Sequence, residues 1–81
     1  SERLVAAADK LHNASTLLRD YRAVGEGVWD RFNGGRDGTL WYYRALIEAF
    51  QVSGPMPVVD ELERVVSDIE GLALRDYIQR K

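Results

Sequence analysis

The stretch LVAAADKLHNASTLLRDY, residues 4–21, decides the fold class because its apolar side chains recur at a helical spacing. Three leucines, Leu4, Leu11 and Leu18, recur every seven residues. Each is followed three positions later by a side chain that is common in protein cores, namely Ala7, Ala14 and Tyr21. At about 100° per residue these side chains fall on one face of an α-helix, the pattern of a helix packed on a partner. The sequence therefore predicts a first helix over about residues 2–23.

Glycine and proline divide the next part of the chain into two further segments. Residues 28–32 indicate a short helix or turn, which the Asn-Gly-Gly stretch at 33–35 terminates. A longer helix starts near Asp37 or Thr39, either of which could cap it, and ends at the Ser-Gly-Pro stretch 53–55. Because its side chains are apolar or aromatic on nearly every side, we expect this helix to be buried all round.

A fourth helix follows Pro57 and runs to about residue 80. It carries a single apolar stripe, made of Val59, Leu62, Val66, Ile69 and Ala73. The chain contains no convincing strand pattern and no internal repeat. Residues 1–81 are therefore predicted to form one all-α domain, an antiparallel helical bundle of three long helices and one short helix.

The composition excludes several classes of protein. Of the 81 residues 46% are hydrophobic and 30% are charged, the balance of a small globular domain. The absence of cysteine excludes disulfides and thiolate metal sites, and the net charge of −2 argues against a nucleic-acid partner. No apolar run approaches the roughly 18 residues of a membrane span, and no signal peptide is visible, so we expect a cytoplasmic protein without a membrane partner.

Opposite the leucine face, the first helix carries a stripe of short polar side chains. Asn13 lies about 40° from Asp9 around the helix, and Thr16 lies about 20° from it on the other side. This stripe has two interpretations. It is the solvent-exposed face of an ordinary amphipathic helix, or it is a surface against which a ligand packs. The second interpretation arises because apolar side chains such as Ala6 and Leu17 flank the stripe.

The chain does not contain enough ligands for a complete catalytic centre. Asp9 and His12 are one turn apart and could share a metal ion, but a catalytic metal needs about three protein ligands and an open position. The sequence has one histidine and no cysteine. The same shortage argues against a Ser-His-Asp triad, so we assign no catalytic residue.

Two other motifs have simpler structural interpretations. The glycine-rich residues 33–39 lack the Gly-Lys-Ser/Thr of a phosphate-binding loop, and their spacing does not fit an EF-hand. They favour a capped turn between helices. The aromatic cluster at residues 41–43 could imitate a base-stacking surface, but an aromatic core is favoured in an acidic chain.

Two segments resemble a known enzyme family. Residues 8–14, ADKLHNA, resemble the ADxLHN helix of the HD-domain phosphohydrolases, especially the guanosine tetraphosphate hydrolase group of the bacterial stringent response. Residues 29–45, WDRFNGGRDGTLWYYRA, are similar to the C-terminal part of small bacterial members of that superfamily. The likeness extends from about Leu4 to Phe50.

The resemblance implies roles for individual residues. In that family a divalent metal, commonly Mn²⁺, is held by a histidine, a His-Asp pair and a more distant aspartate, which Asp9 matches. The motif asparagine and a threonine three residues later contact the nucleotide, and they match Asn13 and Thr16. Lys10, within the same motif, is grouped with them on the substrate side.

The resemblance also implies that part of the metal site lies elsewhere. The family's first histidine and its His-Asp pair should lie upstream of this motif, and no His-Asp dipeptide occurs in residues 1–81. The chain is thus expected to be the C-terminal half of an HD domain, inactive and without metal by itself, from a parent that hydrolyses a phosphorylated nucleotide such as guanosine tetraphosphate. The alternative is a non-catalytic helical protein-interaction module that has kept the motif.

A half-domain is expected to expose apolar side chains that its other half would cover. On the first helix these are Val5, Ala6 and Leu17, and part of the helix from Trp41 to Phe50 would join them. Exposed apolar patches of this kind promote self-association, most simply through a two-fold interface. We therefore expect a homo-oligomer.

Overall fold

The computed structural model describes residues 2–80, and helices make up most of that range. Helix α1 spans Glu2–Val24, a 3₁₀ segment spans Gly25–Arg31, α2 spans Gly35–Val52 and α3 spans Pro57–Arg80. No strand occurs within residues 2–80, so the all-α prediction is confirmed; Ser1 and Lys81 lie outside the described residues. None of the described helices is long and apolar enough to cross a bilayer.

Helix α3 is the element on which both other long helices pack. Its predicted stripe is confirmed, because all five of its members are buried: Val59, Leu62, Val66, Ile69 and Ala73. Around them lie the buried side chains of the other helices, namely Ala7, Ala14, Leu17, Leu18 and Tyr21 of α1 and Tyr43 and Ile47 of α2. The core is therefore a layer of apolar side chains between α3 and its two neighbours.

The apolar face of α1 differs from the prediction at two positions. Leu4 is about half exposed, at 47%, because burial on this face begins one turn later, at Ala7. Leu17, which was expected to meet water, is buried. Leu17 lines the same cleft as Phe32 and Tyr43, so residues from the end of the 3₁₀ segment and from α2 lie on this side of α1.

Helix α2 is not buried all round, and that prediction is wrong. Its buried side chains are confined to one side (Thr39, Tyr43 and Ile47), whereas Trp41 is 73% exposed. The helix also begins earlier than predicted, with Gly34 as its N-cap and no side-chain cap. Asp37 does not cap it, because it lies within the first turn of the helix rather than at the N-cap position. Its carboxylate accepts a hydrogen bond from Nε of Arg36 at 3.0 Å.

Ion pairs fix the direction of α2 against α3. The guanidinium of Arg44 binds both carboxylate oxygens of Glu70, at 2.6 and 2.9 Å, and also contacts Glu63. Arg36, two turns earlier on α2, lies 5.4 Å from the ring centre of Tyr77 near the end of α3. Arg36 on α2 thus contacts Tyr77 on α3, and the later Arg44 contacts the earlier Glu70. The two helices are therefore antiparallel. The hydrogen bonds to Glu70 are the main reason that the pKa of Arg44 is raised above its ordinary value.

The C-terminal ends of α1 and α3 are joined through the hydroxyl of Tyr21. This hydroxyl lies 2.5 Å from Oε2 of Glu26 and 2.7 Å from Oδ2 of Asp76. Trp29 donates its indole N–H to the same Glu26 oxygen at 3.3 Å, and its ring packs edge-on against Tyr21. Gly25, with φ of 72°, ends α1 in the left-handed conformation that brings Glu26 back toward Tyr21.

The Tyr21 contacts predict a loss of stability in alkali. Burial, and then the hydrogen bonds to Glu26 and Asp76, raise the pKa of Tyr21 above its ordinary value. Its contribution to folding should thus be fully present below about pH 10 and decline as the pH rises further, because only the unfolded phenol ionises there. We expect Tyr21→Phe to flatten this decline, measured as urea midpoints between pH 8 and 11. Tyr77→Phe, the control, leaves Tyr21 in place, so its urea midpoint should fall with pH as the wild type's does. If the urea midpoints of the wild type and Tyr21→Phe showed the same pH dependence, the prediction would be contradicted.

Two leucines of α3 provide a matched test of the core. Leu62 is fully buried, whereas Leu74 is 60% exposed on the same helix. Leu62→Ala should lower the free energy of unfolding by about 2–5 kcal/mol because it leaves a cavity. Leu74→Ala should change it by less than about 0.5 kcal/mol. Urea denaturation of both variants measures the difference, and equal losses would show that α3 is not the centre of the core.

Candidate functional site

An open cleft of about 360 Å³ lies where α1 meets the end of the 3₁₀ segment and the middle of α2. We call it the α1–α2 cleft. Its lining comes from three elements: His12, Asn13, Thr16, Leu17 and Asp20 of α1, Arg31 and Phe32 at the end of the 3₁₀ segment, and Tyr43 of α2. Its volume is at the lower end of the range of about 300–1,000 Å³ typical of small-molecule sites.

A second, smaller depression of about 280 Å³ shares the aromatic wall of this cleft. Phe32 and Tyr43 line both, and the second is completed by the turn before α2 and the first turns of that helix: Asn33, Gly34, Gly38, Thr39 and Tyr42. Of the predicted capped turn at residues 33–39, only residues 33–34 form a turn, with a hydrogen bond from the N–H of Gly35 to the carbonyl of Phe32. Residues 35–39 belong to α2, which has no side-chain cap and whose Gly38 N–H donates to the carbonyl of Gly34. A Cβ atom on Gly34 would lie 3.0 Å from Cα of Gly38, so this close turn favours glycine.

An ion pair connects the two sides of the α1–α2 cleft. Nη2 of Arg31 donates to Oδ2 of Asp20 at 3.1 Å, and the Arg31 guanidinium also lies 5.8 Å from the ring centre of Phe32. The Arg31 side chain is more than half exposed, so the pair contributes about 1 kcal/mol or less to stability. Its role is to fix the position of Arg31 at the rim of the cleft.

The predicted site residues are divided between two adjoining surfaces. Asn13 and Thr16 line the α1–α2 cleft. Asp9, one turn earlier, lines a shallow groove with Glu2, Val5 and Ala6 instead. The three side chains therefore lie along one side of α1, as predicted, but they do not open into one cavity.

Lys10 connects α1 to the aromatic side chains of α2. Its Nζ lies 3.9 Å from Oδ2 of Asp9 and 5.8 Å from the ring centre of Tyr42. The neighbouring Tyr43 phenol has a raised pKa, first because it is buried and then because of the charges of Tyr42 and Asp9. Tyr43 is therefore a neutral hydrogen-bonding group within the cleft wall.

The described residues do not by themselves fit a catalytic metal. Asp9 is exposed to solvent and available as a ligand, with a side chain that is 64% accessible. His12 opens into the α1–α2 cleft rather than into the groove of Asp9. Between residues 2 and 80 there is no cluster of three or more histidine, aspartate or glutamate side chains that could hold a metal ion. A metal at Asp9 would need its other ligands from residues beyond those described.

Sequence reasoning missed the aromatic and ionic part of the cleft. Asp20 continues the spacing of the polar stripe, four residues after Thr16, and this signal was available in the sequence. Arg31 and Phe32 gave no such signal, because their approach to α1 depends on the path of the 3₁₀ segment. Tyr43 is buried, as expected of the aromatic cluster, but Tyr42 and Trp41 are exposed.

Comparison with known proteins adds no assignment to this geometry. No protein-family model, no curated protein and no solved structure matches the chain. The cleft, the groove and the charges around them are therefore the basis for a functional proposal.

Proposed function

We propose that this chain is the C-terminal part of an HD-superfamily, metal-dependent phosphohydrolase that acts on a phosphorylated nucleotide such as guanosine tetraphosphate. The observation that supports the proposal is the meeting of the two segments that resemble this family, residues 8–14 and 29–45. Asn13 from the first segment lines the same cleft as Phe32 and Tyr43 from the second. Segments that share a ligand site are expected to meet in this way.

In this proposal the polar side of α1 is one wall of the active site. The exposed carboxylate of Asp9 is a metal ligand, and Asn13 and Thr16 hold the substrate from within the cleft. Lys10, with Nζ 3.9 Å from the Asp9 carboxylate, presents a positive charge to substrate phosphates.

The remaining metal ligands belong to the intact domain. Mn²⁺ would supply Lewis-acid chemistry to phosphate hydrolysis there. Asp9 is the one ligand that we assign to this chain, and we expect residues 1–81 to be inactive alone.

The test is the substitution Asp9→Asn in the intact protein. Loss of a direct ligand should lower Mn²⁺-dependent hydrolysis of guanosine tetraphosphate by more than about 100-fold, since even the outer partners of metal ligands are worth 10- to 100-fold. The circular dichroism spectrum should be unchanged because Asp9 is exposed. Asp68→Asn, an exposed aspartate in the middle of α3, is the matched control and should leave hydrolysis unchanged.

Two outcomes of this experiment would contradict the proposal. Full hydrolysis by Asp9→Asn would exclude Asp9 as a ligand. Failure of the intact wild-type protein to hydrolyse nucleotides with Mn²⁺ would favour the non-catalytic interaction module instead.

We further propose that the isolated chain associates with itself through the groove at the start of α1. This shallow groove presents Val5 and Ala6 between the carboxylates of Glu2 and Asp9, and its Val5 is 69% exposed. Covering such a surface removes apolar area from water, which is worth roughly 25 cal/mol per Å².

Two valines of α1 provide the test of self-association. Val24 is 66% exposed, which nearly equals the exposure of Val5, but it lies at the other end of the helix. Sedimentation equilibrium at micromolar concentration should show a dimer or larger species for the wild type and for Val24→Glu. Val5→Glu should be shifted toward monomer. A strictly monomeric, folded wild-type chain would show that the groove is not self-complementary.

A further inference from the structure

The α1–α2 cleft has two chemically different walls. On one side α1 presents hydrogen-bonding side chains, Asn13, Thr16 and Asp20. On the other side are the aromatic rings of Phe32 and Tyr43. A planar heteroaromatic ring has the matching chemistry, because its face stacks on aromatic side chains while its polar edge forms hydrogen bonds.

Charge determines which part of a nucleotide fits this cleft. Within the lining of the cleft, Asp20 and Arg31 form an ion pair at 3.1 Å whose two charges cancel, and the carboxylate would repel a phosphate. Arg19, whose Nε lies 3.7 Å from the other Asp20 oxygen, does not line the cleft. Lys10 lies outside the cleft, beside Tyr42, and its ion-pair contact with Asp9 is longer, at 3.9 Å. Phosphates are therefore favoured near Lys10, and an uncharged ring is favoured in the cleft.

The distances along α1 agree with this division. Asp9 and Thr16 are seven residues apart, which is about 10 Å at 1.5 Å per residue. The two surfaces adjoin on the same side of the helix. One ligand can thus extend from the groove of Asp9 into the cleft without crossing a helix.

We propose that the α1–α2 cleft is the subsite for the nucleobase of the substrate, with Phe32 as its stacking platform and Asp20 as an acceptor for N–H groups of the base edge. This inference rests on the proposed function, in which the substrate is a nucleotide. Phe32 is held in place by two contacts, the Trp29 ring at 6.4 Å and the Arg31 guanidinium at 5.8 Å. It is a specificity-determining residue, distant from the reacting phosphate.

The first experiment measures the binding of guanosine diphosphate to the 81-residue chain in EDTA, so that no metal contributes. Phe32→Leu keeps an apolar side chain but removes the ring, and it should weaken binding about tenfold. Phe50→Leu makes the same change at a half-buried position near the end of α2, away from the cleft, and should bind like the wild type. Asp20→Asn removes the charge of the second contact and also weakens the ion pair that positions Arg31 beside Phe32, so it should weaken binding as well.

The second experiment maps the site by the shifts of backbone amide signals in NMR spectra of the same chain. Guanosine diphosphate should shift the amides of Asn13, Thr16, Asp20 and Phe32, whereas inorganic pyrophosphate, which has no base, should not. The proposal is overturned if guanosine diphosphate does not bind, if Phe32→Leu and Asp20→Asn both bind it like the wild type, or if pyrophosphate shifts the same amides.

The two proposals fail in different ways. Hydrolysis that survives Asp9→Asn contradicts the metal-dependent phosphohydrolase but leaves metal-free base binding at Phe32 intact. Hydrolysis that is lost in Asp9→Asn, together with unchanged binding in Phe32→Leu and Asp20→Asn, contradicts the base subsite alone.

Discussion

The hydrogen bonds of one phenol hold three parts of the chain in register. Tyr21 joins the end of α1 to Glu26 in the 3₁₀ segment and to Asp76 in α3. Without this junction the 3₁₀ segment would have few other fixed points, since its remaining buried side chains are Val28 and Trp29. The position of Phe32, and with it the aromatic wall of the α1–α2 cleft, depends on the direction in which that segment leaves α1.

Those features of the fold that depend on local pattern could be predicted from the sequence. The bounds of α1 and α3 and the buried stripe of α3 follow from spacing and from the glycines and prolines between the helices. The burial of Leu17 and the exposure of Trp41 could not be predicted, because each depends on which neighbour covers that side of the helix. Helix α2 is apolar on nearly every side, so its composition does not reveal which side faces α3.

The same limit applies to the candidate site. The polar side of α1 follows from helical geometry, and the roles of Asp9, Lys10, Asn13 and Thr16 follow from a resemblance and remain proposals. The approach of Arg31 to Asp20 across eleven positions of the chain depends on the turn at Gly25. No periodicity encodes such a contact. The contact depends on the direction in which the backbone leaves α1, and the contacts of Tyr21 with Glu26 and Asp76 fix that direction.

Of the three long helices described, α3, on which the other two pack, comes last along the chain. Helices α1 and α2 contact each other much less than either contacts α3. When a ribosome has translated as far as residue 56, α1 and α2 have been made but the surface of α3 on which they pack has not. Folding as a unit must wait until α3 has left the exit tunnel, and until then the nascent chain exposes its apolar faces to chaperones and to other nascent chains.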